Sequence, residues 1–205
     1  MSTFFSFMKT MVFPEKYKPA RLATLCLLGI GLGLSSYHLA SAQTSGEETP
    51  SFVQNGTLTV CTNPTLPPMT FVQGSDASKP EGMDIDLARA LAKHWHASLN
   101  LVTMDFTGLF PSLAAQRCGI VLSGIIQLPD REKNFDAVPY QDTALTVVAR
   151  ANTLPIKSMA ELSGKTIAVQ SGTSYAARIE RENIALNAAG KPPITIQQYP
   201  TEDQV

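Results

Sequence analysis

The sequence predicts an α/β protein of two successive units, and three observations carry that prediction. From residue 57 onward, short β-like runs alternate with segments of helical periodicity. The run Ile120-Val121-Leu122 is wholly apolar, the pattern of a strand buried on both faces. After residue 144 the alternation starts again. Strands and helices in that order imply a parallel sheet with helices packed on it.

The N-terminal region reads as an export leader. Lys9, Lys16, Lys18 and Arg21 precede an apolar run over 22–34, and Ala40-Ser41-Ala42 puts small residues at the −3 and −1 positions of a cleavage site before Gln43. The apolar run is shorter than the roughly 20 residues a spanning helix needs. A signal peptide over 1–42, cleaved after Ala42, is therefore favoured over a membrane anchor, and the mature protein is expected in the periplasm. Cys26 follows Leu25 rather than a small residue, which argues against lipidation. Residues 43–55 are polar and rich in Thr and Ser, and are expected to form a flexible lead-in. The first unit is then 56–144, and the second, with a hinge strand at its start, 145–205.

Within the first unit, residues 58–61 form a β-like run that Asn63-Pro64 and Pro67-Pro68 end, and 69–72 form a second extended piece. Ile85, Ala88, Leu91, Ala92 and Trp95 recur at helical steps, with Asp84 and Asp86 in the first turn, where the helix dipole favours negative charge. Residues 99–104 alternate as a strand. A second helix is expected over 107–116, with Leu109, Phe110 and Leu113 inward and Pro111 tolerated near its start. In the second unit, 145–149 is a β-branched run, 158–162 a capped helical turn, 165–169 a strand, 171–174 a tight polar turn, 175–187 a helix and 194–199 a strand.

Composition excludes more than it proves. With 16 basic and 17 acidic residues among 205, there is no basic stripe for a nucleic-acid partner. Neither a Gly-x-Ser-x-Gly elbow nor a His-Glu-x-x-His helix is present. His94 and His96 are two apart on a helix and so face different ways, a poor metal pair. No cofactor, metal or catalytic activity is expected. Cys61 and Cys118 suit either a disulfide in an oxidising compartment or two buried thiols.

Several motifs together are similar to those of the family 3 extracellular solute-binding proteins, which serve polar amino-acid ABC transporters. The carriers are 56–60 (Gly-Thr-Leu-Thr-Val), Pro67-Pro68-Met69-Thr70-Phe71, and 81–88 (Glu-Gly-Met-Asp-Ile-Asp-Leu-Ala). They continue through Phe106-Thr107-Gly108-Leu109-Phe110-Pro111, Ser123-Gly124-Ile125 with Asp130-Arg131, Leu162-Ser163-Gly164-Lys165, and Val169-Gln170-Ser171-Gly172-Thr173. The resemblance runs from about Gly56 to the end. It implies a periplasmic-binding-protein-like architecture: two lobes, a hinge near 141–149, and a second lobe that is incomplete. It also implies a monomer that closes on a small polar solute, an amino acid, and presents it to an ABC transporter membrane permease.

The resemblance also assigns residues. Arg131 would clamp the ligand carboxylate, because a guanidinium offers two parallel donors in carboxylate geometry; the plain alternative is a surface arginine. Gly172 and Thr173 open a helix after a strand and would complete the carboxylate site. Gln170 would face the cleft. Phe106 would be an aromatic lid or simply core, and Asn63 a polar ligand contact or a turn residue before Pro64. Gly124, Ile125 and Ile126 would line the loop ahead of Arg131, although the family usually has a hydroxyl where Ile126 stands. Gly119 replaces a common Asp. The family's ammonium-binding aspartate would lie further on than Val205. Three rivals stand beside binding: a cyclohexadienyl-dehydratase-like enzyme, which needs an acid or base in the cleft; the sensor domain of a larger membrane receptor, which needs a downstream transmembrane helix; and a fragment that binds nothing.

Overall fold

The computed structural model describes residues 6–14, 49–74, 76, 78–153 and 155–205. The proposed leader and its cleavage site, and Cys26 with them, lie outside the described residues except for 6–14. The elements run β1 (Ser6–Pro14), β2 (Thr57–Thr62), β3 (Thr65–Leu66), β4 (Thr70–Val72), β5 (Pro80–Glu81), α1 (Met83–His94), β6 (Ser98–Thr103), α2 (Leu109–Ala114), β7 (Ile120–Val121), α3 (Pro129–Glu132), β8 (Phe135–Ala144), β9 (Thr166–Gln170), α4 (Ser174–Ala188) and β10 (Thr195–Tyr199). The expected α/β class is the observed one.

The main sheet has the order β6-β2-β7-β1-β8. Strands β6, β2 and β7 are parallel, as the alternation predicts. Strand β1 was not foreseen: it runs antiparallel to both neighbours, pairing with β7 at Val12↔Val121 and with β8 from Ser6↔Ala144 to Pro14↔Phe135. A second, small antiparallel sheet, β3-β4-β5, projects from the end of β2.

Two apolar clusters fill the first unit. Helix α1 presents Ile85, Ala88 and Ala92 to the sheet as its periodicity requires, and Ala88 and Ala92 pack with Leu58, Val60, Ile120 and Leu122. Phe52 is buried in the same cluster, its ring edge-on to Trp95 at 5.3 Å between centroids. Packing therefore begins within the segment read as a flexible lead-in: one aromatic anchor outweighs its polar surroundings. The second cluster joins Leu109, Leu113, Val121 and Ile125 around Cys61 and Cys118. These two cysteines form a disulfide with a Cα separation of 5.7 Å, which decides between the two readings of them.

Several boundaries differ from expectation. The helix expected over 107–116 is a 3₁₀ turn, Phe106–Gly108, followed by the short α2. The strand expected at 145–149 is absent; the chain leaves the sheet at Ala144. Strand propensity alone is not enough there, because 145–149 has no neighbour to pair with among the described residues and Val148 is 91 % exposed. The turn at 158–162 carries no side-chain cap on its backbone; Glu161 instead accepts from the Lys157 N–H at 3.0 Å.

The second unit is thinner. Strands β9 and β10 pair in parallel, and α4 covers them through Ile179 and Leu186, which meet Leu162, Val169 and Ile194. Asn183 locks the helix to the strand entry by donating to the Ile194 carbonyl at 2.9 Å and accepting its N–H at 2.7 Å. No helix among the described residues is long and apolar enough to cross a membrane.

Candidate functional site

A narrow cleft lies between the two units, lined by Leu66, Phe106, Gly124, Ile126, Arg131, Gln170, Thr173, Ser174, Tyr175 and Glu202. Nearly every lining residue follows the carboxyl end of a strand, where open α/β sheets take ligands. Six of the nine residues expected from the sequence are among them.

Arg131 sits in α3, which starts with Pro129 in its first turn and is too short to bury a face of its own. Its side chain is fixed from two directions. One terminal nitrogen donates to the Ile126 carbonyl at 2.9 Å, and the guanidinium carbon lies 4.9 Å from the centroid of the Phe110 ring. Burial pushes the guanidinium below its ordinary range, with the Tyr175 phenol acting the other way. No carboxylate among the described residues forms an ion pair with it. Ile126 thus contributes its backbone carbonyl to holding the guanidinium.

The loop ahead of Arg131 is held from below. Asp84 is fully buried, and its two oxygens accept from the Gly124 N–H at 2.6 Å and the Tyr140 hydroxyl at 2.7 Å. The phenol of Tyr140 is pushed far above its usual range, by burial first and then by the Asp84 charge, so it stays a hydroxyl donor. Asp84 therefore does more than complement the helix dipole. It ties the start of α1, the glycine at φ 58 and the outgoing strand β8 together. Ile125 is turned wholly into the core, and borders a second, smaller pocket behind Ile126.

The opposite wall comes from the second unit. Gly172, at φ 77, lets the turn after β9 approach the first unit; a Cβ there would stand 2.8 Å from the Thr107 methyl and 3.6 Å from the Phe106 ring. Thr173 occupies the N-cap position of α4, but its hydroxyl donates backward to the Gln170 carbonyl at 2.7 Å. Gln170 is 3 % exposed, and its amide nitrogen donates to Asn63 Oδ1 at 2.9 Å, Thr65 Oγ1 at 3.3 Å and the Pro200 carbonyl at 3.1 Å. Asn63 is equally committed: its Nδ2 donates to the Met104 carbonyl at 2.9 Å and its backbone N–H to Ser123 Oγ at 2.9 Å. Asn63 does not line the cleft. It and Gln170 join the units, and Phe106 is both core and wall.

Four lining residues were not expected: Leu66, Ser174, Tyr175 and Glu202. Glu202 follows β10, and the rule that sites collect at strand carboxyl ends could have found it. Its backbone N–H donates to Thr65 Oγ1 at 3.3 Å, and burial pushes its carboxyl above the ordinary range. Tyr175 is likewise pushed up, by burial and then by the Glu202 charge, while Arg131 opposes that. The cleft therefore holds a guanidinium, a phenol and a carboxyl. No cluster of metal-ligating side chains occurs among the described residues.

Residues 58–192 match the family model of bacterial extracellular solute-binding proteins, family 3. The chain belongs to that family. The L-cystine-binding protein TcyJ of Escherichia coli K12 is 29 % identical over 91 % of this chain and 69 % of its own length. The ABC transporter arginine-binding protein 1 of the same organism is 34 % identical over 50 % of this chain and 42 % of its own. An ancestral arginine-binding protein solved with arginine bound matches with a TM-score of 0.59 and 26 % identity, covering 73 % of this chain and 63 % of that one. The chain thus spans between about two-fifths and seven-tenths of the relatives named here.

Proposed function

We propose that the chain captures an amino acid in the cleft between its two units and delivers it to an ABC transporter permease, working as a monomer in the periplasm after its leader is removed. The observation that carries this reading is the Arg131 guanidinium: largely desolvated, held in place by Ile126 and Phe110, and without a carboxylate partner among the described residues. A buried charge of that kind costs free energy until an anion meets it, and a ligand carboxylate fits its fork. The N-terminus of α4, facing the same cleft at Thr173 and Ser174, adds a second attraction for an anion.

Glu202 supplies the opposite charge. A ligand that brings an ammonium or guanidinium group beside it would hold the carboxylate ionised against the cost of burial. The relatives' names put arginine and cystine first among the amino acids to try. Closure of the second unit over the ligand would use the contacts already made by Gln170 and Gly172.

The test is calorimetric titration of the folded chain with a panel of L-amino acids, arginine and cystine included. Saturable heat with a basic or zwitterionic member is the expected result. A flat titration across the whole panel defeats the binding reading for this chain.

A further inference from the structure

Asp84 stands apart from the other acids of the first unit. Asp86, in the same first turn of α1, is exposed and pairs with Arg89 at 2.8 Å. That surface carboxylate is enough to complement the helix dipole. Asp84 serves the dipole no better for being fully buried, and a carboxylate taken out of water costs free energy unless donors hold it. Its donors come from far along the chain: the Gly124 N–H at 2.6 Å and the Tyr140 hydroxyl at 2.7 Å. The Gly124 N–H also faces the Tyr140 phenol oxygen, so the three groups close on one another.

What these bonds hold is the loop ahead of Arg131. Residues 123–126 are each fixed in a different way. Ser123 Oγ accepts the Asn63 N–H at 2.9 Å, Ile125 is buried in the core, and Ile126 offers its carbonyl to Arg131 at 2.9 Å. Gly124, at φ 58, has Asp84. Without that bond the glycine, lacking a Cβ, is where the loop would bend most easily. A shift there moves the Ile126 carbonyl, and with it the guanidinium in the cleft. Tyr140 carries the same tie into β8, the strand by which the chain leaves the first unit.

We propose that Asp84 is a positioning residue of the cleft: its carboxylate sets the place of the Arg131 guanidinium through Gly124 and Ile126, and ties that loop to the outgoing strand through Tyr140. The role lies in the geometry of two hydrogen bonds, not in a negative charge at a helix start. It concerns the placing of Arg131 and holds whatever ligand the cleft takes.

Two substitutions in the 205-residue chain separate geometry from charge. Asp84→Asn removes the charge, yet its carbonyl can accept the Gly124 N–H and its amide can donate to the Tyr140 oxygen. Asp84→Leu has a similar volume and loses both bonds. A helix-dipole role is lost equally in the two; the tie is lost only in the leucine variant. Hydrogen exchange over 123–131 should be faster by about tenfold or more in Asp84→Leu, the weight of one hydrogen bond to a charged group, and changed by less than about threefold in Asp84→Asn. Residues 83–94 should keep the parent's protection in both. Equal loosening of 123–131 by the two variants overturns the proposal, as does faster exchange confined to 83–94, or no change at 123–131 in Asp84→Leu. Should Asp84→Leu not fold, Tyr140→Phe decides. It keeps the ring and removes one donor from Asp84, so 123–131 should loosen by about twofold or more; an unmoved 123–131 refutes the tie. Titration with arginine gives a second reading. Where the parent binds it, affinity should fall in Asp84→Leu and be kept in Asp84→Asn, and equal affinity in the two variants counts against the proposal. A parent chain that binds no amino acid defeats the binding reading and leaves the exchange outcomes as they stand, so the two readings fail separately.

Discussion

The two units meet at one cleft but are built to different standards. The first has two buried clusters, a disulfide across one of them, and a sheet five strands wide. The second has two strands, one covering helix and a single cluster of five buried residues. Its most enclosed polar residue, Gln170, finds two of its three hydrogen-bond acceptors in the first unit. Gly172 and Glu202 make their nearest approaches there too, to Thr107 and Thr65. The contrast teaches that the cleft is a joint as well as a site: the thinner unit draws order from the surface it closes against. A small assembly that buries little of its own chain has this need in general.

The sharpest way to break the comparison is to weaken the stronger unit. Replacing Cys61 and Cys118 together by alanine releases a loop of 57 residues. Chain-entropy reasoning puts the loss at about 4 kcal/mol, visible as a lower urea midpoint. A loss confined to the second unit, read by hydrogen exchange along the chain, would contradict the division drawn here. Next in size, Gln170→Ala cuts the joint itself. Removing a buried donor that serves Asn63, Thr65 and Pro200 should cost about 1–3 kcal/mol. The loss should appear as faster exchange in 166–170 and 195–199, with 57–62 unchanged.

A third substitution addresses the ligand and leaves stability aside. Arg131→Lys keeps the charge and loses the fork, so amino-acid affinity should fall by more than about tenfold, with little change in the unfolding midpoint. Unaltered affinity would remove Arg131 from the site. The smallest effect is a pH dependence. Burial raises the Glu202 carboxyl in the folded protein, so the folded state binds that proton more tightly than the unfolded one. Folding stability should therefore rise as pH falls through the raised value, and the buried charge should cost stability at higher pH. Glu202→Gln should flatten that step, and a cationic ligand should release a proton on binding across the same interval. The half-exposed position of Glu202 keeps the effect modest.

How much of this was legible beforehand depended on whether a residue's role was local. The spacing of Ile85, Ala88 and Ala92 determines a helix face, and the wholly apolar 120–122 run determines a buried strand; both are properties of a few adjacent positions. The carriers of the cleft were mostly readable through motifs, and Arg131, Gln170 and Thr173 do line it. Long-range pairings were not readable. Nothing local distinguishes Asn63 as a bridge to Gln170 from Asn63 as a ligand contact, because its partner is 107 residues away. Asp84 is a dipole-friendly helix acid in the sequence and a fully buried anchor of Gly124 and Tyr140 in the fold. The extended state of 6–14 was hidden by a stronger signal, since basic residues before an apolar run are the mark of a leader.

The edge-on contact of Trp95 with Phe52 has an optical consequence. Trp95 is the sole tryptophan, and it caps the end of α1 farthest from Asp84 and the cleft. Twelve helical residues separate the two ends, about 18 Å at 1.5 Å per residue. Its indole emission therefore reports the packing of the first cluster and should be blind to what enters the cleft. Tyr175, inside the cleft, should respond to a ligand instead. Excitation at the red edge of the spectrum, where tyrosine does not absorb, therefore reads the first unit alone.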